Sequence, residues 1–191
     1  MKETVKKRSF LVPAIIGALL AAAAIWFLLP HIKNHVDKTG YPMKYADVVL
    51  AEAEKRGVSP SLCFAVILVE SGCNEKAVSP AGAKGLMQIT DDTADWIAAS
   101  LGEKTGDLFD PETNIKYGVW LLRKNLDDFG TVREALAAYN AGRSRVRGWL
   151  SDESLSDDGK TLAAIPYNET DKYVDAVEAA AAKYSELYDL D

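Results

Sequence analysis

The pattern of apolar and polar positions divides the chain into two parts. From Phe10 to Leu29 no charged residue occurs, whereas from Tyr41 onward apolar residues recur at helical spacing between polar ones. In the second part Tyr45, Val48, Val49 and Ala53 predict a helix over 44–56, with Gly57 as its stop. Ser59 followed by Pro60 predicts a second start, because a serine hydroxyl accepts an orphan N–H and proline fits the first helical position. Every residue from Leu62 to Val69 is then apolar, which is the pattern of a helix buried on all sides. Thr90 with Asp91 and Asp92 opens a helix that stops at Gly102. Asp110-Pro111 opens another, with Ile115, Val119, Leu122 and Leu126 on one stripe and Gly130 at its end. Thr131 caps the next, 144–150 forms a short one, and 169–188 forms the last, with Tyr173, Val174, Val177, Ala180, Ala181 and Tyr184 facing inward. No segment shows a clear period of two, so the expected fold is all-α, with a short hairpin neither required nor located.

The first ionisable group on the buried helix is Glu70, just before Ser71-Gly72 lets the chain turn away. A carboxyl at the edge of a core loses solvation, which raises its pKa and suits a general acid. The plainer alternative is a helix-end glutamate that reaches water. Further along, Gly82 and Gly85 permit a close backbone approach to a ligand, or simply form a turn. Met87 reads equally as core filler, Tyr139 as a core tyrosine with a satisfied hydroxyl, and Glu169 as a first-turn helix charge.

The ordered set Glu70-Ser71, Asn74, Ala77-Val78-Ser79, Gly85-Leu86-Met87-Gln88, Ala138-Tyr139-Asn140-Ala141-Gly142 and Ile165-Pro166-Tyr167-Asn168-Glu169-Thr170 with Tyr173 resembles the motifs of the soluble-lytic-transglycosylase (SLT) domain, over roughly 41–188. The resemblance implies a lysozyme-like helical domain acting on peptidoglycan glycan strands. It implies Glu70 as catalytic acid and then base, and Ser79, Met87, Gln88, Tyr139, Asn140, Glu169 and Tyr173 as substrate contacts. It implies cleavage of the β-1,4 bond between N-acetylmuramic acid and N-acetylglucosamine, leaving 1,6-anhydro ends. A goose-type-lysozyme-like hydrolase and a non-catalytic, membrane-tethered glycan-binding module are the alternatives.

Charge bears on topology and partners. Residues 1–9 carry +3, with Lys2, Lys6, Lys7 and Arg8 against Glu3. They precede 10–29, which is long enough to cross a bilayer core of about 30 Å. Ala21 to Ala24 would also suit a signal peptidase, but the apolar run continues past the usual ~7–15 residue core of a signal peptide, which favours an uncleaved anchor. The basic residues 1–9 then stay in the cytoplasm, 10–29 anchors the chain in the cytoplasmic membrane, 30–43 is a tether, and a catalytic domain over 44–191 lies on the external, cell-wall side. The formal net charge of the chain is −6, so the rest of it carries −9, which disfavours nucleic acid as a partner. Ser151 to Asp158 is an acidic tract expected as a solvated loop. His31 and His35 lack further ligand partners, so neither metal nor cofactor is expected. Cys63 lies about 12 Å along the helix from Ser71, and two residues of return barely bring Cys73 within disulfide range, so both are expected as thiols.

Overall fold

The computed structural model describes residues 26–27 and 38–190. The chain divides into two units, Met1–Gly40 and Tyr41–Asp191. The expected basic tail 1–9, nearly all of the expected span 10–29 and most of the tether 30–43 lie outside the described residues. Within those that are described, no helix is long and apolar enough to cross a membrane.

The second unit is built from helices whose ends are set by local chemistry. The first, α1 (Ala46–Arg56), begins two residues later than its apolar spacing implies, because Tyr45 adopts the left-handed conformation (φ 57°) and its hydroxyl donates to the Glu75 carboxylate. Gly57 ends it in the left-handed conformation, its N–H returning to the carbonyls of Ala53 and Glu54. In α2 (Pro60–Ser71) Ser59 accepts from the Leu62 N–H at 3.2 Å, and Gly72 closes the other end at φ 59°. Ser61 to Ile67 are buried without a break, as an all-apolar helix requires.

Thr90 caps α3 (Asp91–Leu101), Asp110 caps α4 (Pro111–Phe129) and Thr131 caps α5 (Val132–Ala141), each through a side-chain oxygen that accepts an N–H of the first turn. The domain closes with α6 (Arg143–Leu150) and α7 (Asn168–Tyr188). Among the described residues no strand forms, and the hairpin left open by the sequence reduces to two antiparallel bridges, Val78 with Lys84 and Lys84 with Ile89.

The core is a sandwich of α2 between its neighbours. Its most extensive partner is α7, while α4 packs on α1 and α5, and α5 also contacts α6 and α7. Phe64 of α2 stacks on Tyr184 of α7 at 5.4 Å. The Tyr184 and Tyr188 hydroxyls donate to the carbonyls of Pro42 and Tyr41 at 3.0 and 2.7 Å, tying the start of the unit to its last helix. Arg133 joins α5 to α7 by pairing with Asp171, Asp175 and Glu178 at 2.8, 2.9 and 3.2 Å. Glu134 is fully buried: it takes the Thr131 hydroxyl on one oxygen and the Leu162 N–H at 2.9 Å on the other, fixing the long loop before α7. The acidic tract in that loop is exposed as expected, apart from half-buried Leu155 and buried Ser156. Cys63 and Cys73 are buried thiols with no disulfide between them.

Candidate active site

The α2 C-terminus carries Glu70 to the edge of a groove of about 490 Å³. Ser79, Gln88, Tyr139, Asn140 and Glu169 line the same groove, so six of the residues singled out in the sequence meet there from four separate segments. Among the described residues the lining contains no lysine, arginine or histidine. Glu70 is half-buried, and burial raises its pKa from 4.5 to about 7, with a hydrogen-bonding interaction from Tyr173 pulling in the opposite direction. With no cation to favour the charged form, desolvation wins. Half-buried at the edge of the groove, Glu70 is not a fully solvated helix-end charge.

The wall facing Glu70 is made by the 77–89 segment, which is held by polar clamps rather than by regular structure. Ser71 Oγ donates to the Leu86 carbonyl at 2.8 Å. Asn114, a buried residue in the first turn of α4, accepts from the Met87 N–H at 2.7 Å and donates to the carbonyls of Lys84 and Leu108 at 2.9 and 2.8 Å. Gly85 has to be glycine here: its φ is +75°, and a Cβ would lie 2.3 Å from Asn114 Nδ2 and 2.4 Å from the Leu108 carbonyl. Ser79 turns the lip, accepting the Ala83 N–H on its hydroxyl at 3.0 Å. Gln88 sits at φ 50° and donates its amide to the Gly85 carbonyl at 2.9 Å, which leaves the amide oxygen as the group able to accept from a ligand.

Met87 and Tyr173 are the two singled-out residues that do not line the groove. The Met87 side chain is fully buried against Gly118, where a Cβ would come within 2.2 Å of its sulfur. It drops into the space that glycine leaves, so Met87 contributes a backbone carbonyl, and that carbonyl accepts the Tyr139 hydroxyl at 2.8 Å. Tyr139 therefore presents its ring to the groove with its hydroxyl already engaged. Burial first, and then the charge of Glu70, hold its pKa well above the ordinary phenol value, so it stays neutral.

Tyr173 lies behind Glu70 with its hydroxyl buried and without a well-formed hydrogen bond, close enough to the carboxyl to favour its charged form. Among the described residues it does not line the groove, and its influence there is on the Glu70 carboxyl. Tyr173→Phe is accordingly expected to move the alkaline limb of the pH–rate profile to higher pH, because it removes the group that lowers the Glu70 pKa. An unmoved limb in kcat/KM against pH would contradict this.

Asn140 and Glu169 are set by the junction of α5 and α7. Asn140 Oδ1 accepts the Thr170 hydroxyl at 2.8 Å, leaving its amide N–H groups toward the groove. Asn114 and Glu134 were not singled out in the sequence, and Ser71 and Thr170 stood there only as members of the motifs. Of these, Asn114 carried a readable signal: it stands in helical register with Gly118 and Leu121, on a face that turns inward.

Residues 47–162 match the family model described as the Transglycosylase SLT domain. The chain belongs to this family. It is 37% identical over 157 residues to the soluble lytic murein transglycosylase of Salmonella typhimurium, covering 79% of this chain and 24% of that protein. It is 32% identical over 178 residues to the membrane-bound lytic murein transglycosylase C of Pectobacterium atrosepticum, covering 80% and 49%. The structure of an inactive glutamate-to-glutamine mutant of lytic transglycosylase Slt from Pseudomonas aeruginosa superposes with a TM-score of 0.69 at 34% identity, covering 78% of this chain and 25% of that one. This SLT chain thus spans about a quarter of the length of its soluble relative. The expected all-helical, lysozyme-like domain is borne out, and so is the family read from the motifs.

Proposed function

We propose that this SLT domain is a lytic transglycosylase that cleaves the β-1,4 bond between N-acetylmuramic acid and N-acetylglucosamine in peptidoglycan. One observation carries the reading: a half-buried Glu70 at the edge of the groove, its pKa raised to about 7, with no cation in the lining to keep it ionised. Such a group still holds a proton near neutral pH and can give it to the leaving oxygen. Once ionised, the same carboxylate accepts the proton of the muramyl C6 hydroxyl, which closes on the anomeric carbon and yields a 1,6-anhydro end. The attack is intramolecular, so it gains the rate advantage of proximity without an ordered water. The names of the two relatives above, both lytic murein transglycosylases, support the reaction class, and the inactive glutamate-to-glutamine mutant of the Pseudomonas aeruginosa protein is in keeping with an essential glutamate in that neighbour.

A hydrolytic outcome is the second reading, because Glu169 shares the groove and is a second carboxylate able to activate water. The other nearby acids are engaged elsewhere, Glu75 by the Tyr45 hydroxyl and Asp91 by Lys84 at 2.7 Å. Mass analysis of the fragments released from isolated sacculi separates the two outcomes.

The domain is further proposed to act from the outer side of the cytoplasmic membrane. The residues 1–9 would stay inside, 10–29 would span, and 30–43 would tether the domain. The expected outcome is that full-length protein sediments with membranes and that protease added to wall-depleted cells removes the C-terminal domain. A soluble species beginning near residue 25 would show cleavage of the leader instead.

A further inference from the structure

A second pocket, of about 360 Å³, shares Thr93, Leu121 and Tyr139 with the groove of Glu70 and continues over Trp96 and the turn from Ala141 to Arg145. The two differ in charge. Glu70 and Glu169 line the first, without a basic residue, whereas Arg143 and Arg145 line the second, without an aspartate or glutamate.

The positive charge around the second pocket is not cancelled locally. Among the described residues a single carboxylate, Asp128, is shared by Arg143, Arg147 at 2.8 Å and Lys124 at 2.9 Å. Arg145 donates to the Ala141 carbonyl at 2.7 Å and lies 5.1 Å over the Tyr167 ring, with no carboxylate partner among the described residues. Arg143 lies 4.9 Å over Trp96, which itself packs edge-on against Trp120 at 5.1 Å. Its Nε–H is buried without an acceptor among the described residues. In a chain of net charge −6 this corner is the exception. The guanidinium also occupies a face of Trp96 on which a sugar ring would stack, so the pocket suits an anion better than another pyranose.

We propose that this pocket receives a carboxylate of the peptide branch carried by the glycan strand, while the sugars occupy the groove of Glu70. The proposal rests on the glycan-cleaving reading above. Peptidoglycan muramyl residues carry short peptides with free carboxylates, and because Tyr139 belongs to both linings, a sugar seated against it lies next to the pocket that Arg145 lines. The domain would then prefer strands whose peptides keep their charge.

The test compares soluble glycan strands bearing native peptides with the same strands after carbodiimide coupling to ammonia, which turns the carboxylates into amides and keeps the peptides. Binding to the full-length protein is read by fluorescence anisotropy of end-labelled strands, with turnover followed in parallel. Native strands are expected to bind about tenfold more tightly at low salt, the scale of one charged hydrogen bond, and the ratio should fall toward one in ~1 M salt. Arg145→Gln, at an exposed position, should remove most of that ratio, and Arg143→Gln is the second variant. Equal binding of both strand types by the wild type would overturn the proposal, as would a ratio that both variants leave intact. A full ratio without cleavage would support the pocket and overturn the cleavage reading.

Discussion

Glu70→Gln is expected to lower lysis of isolated sacculi at least ~10²-fold, the scale of general acid–base catalysis, while making the fold more stable above neutral pH. The two effects have one cause. Burial raises the Glu70 pKa from 4.5 to about 7, so the folded state holds the proton more tightly than the unfolded chain does. For a group raised on folding, the associated stability is fully present below the unfolded pKa and is lost as pH rises through the folded one. Wild-type protein should therefore lose up to about 3 kcal/mol between roughly pH 4.5 and 8 at this site. Glutamine keeps the shape, carries no charge and does not titrate. Chemical denaturation of the Tyr41–Asp191 unit should show the variant gaining over wild type as pH rises through 7. A variant that lyses normally would remove Glu70 from its role, and one with no gain at pH 8 would mean that Glu70 is not desolvated.

Gly85→Ala is expected to destabilise the domain by about 3–5 kcal/mol and to abolish lysis with it. Two terms combine. A φ of +75° already strains any side chain, at roughly 1 kcal/mol. The added methyl would also meet the Leu108 carbonyl at 2.4 Å, and backbone cannot swing aside as a flexible side chain does. The segment has to move, and Asn114 then loses its bonds to Met87 and Lys84, leaving buried polar groups unpaired. Gly82→Ala is the control. It has a similar φ of +82° but open space around the missing Cβ, so only the strain of roughly 1 kcal/mol applies. Equal midpoints of thermal unfolding for the two variants would contradict the clamp.

What was legible in the sequence was local. Ser59-Pro60, Thr90, Asp110-Pro111 and Thr131 each satisfy an N–H within three residues, and Gly57, Gly72, Gly102 and Gly130 each close a helix in the left-handed conformation, so these helix ends could be read within about a residue. The exception, the start of α1, depends on Tyr45 reaching Glu75 thirty residues away. The groove residues were legible because their motifs recur in family order. Their individual roles were not, because those depend on distant partners: Met87 turns inward on account of Gly118, Tyr139 spends its hydroxyl on Met87, and Tyr173 is placed behind Glu70 by the packing of α7 on α2. Glu134 is the extreme case. In the sequence it is an ordinary first-turn charge, yet it is buried and bonded to a loop twenty-eight residues on.

The most direct measurement of the proposed chemistry is mass spectrometry of the fragments released from sacculi in ¹⁸O-labelled water. If Glu70 serves as acid and then as base for the C6 hydroxyl, the muramyl ends are anhydro, one water lighter than hydrolytic products, and carry no label. Reducing muramyl ends bearing solvent oxygen would contradict the transglycosylase reaction and assign the second carboxylate of the groove, Glu169, to the activation of water.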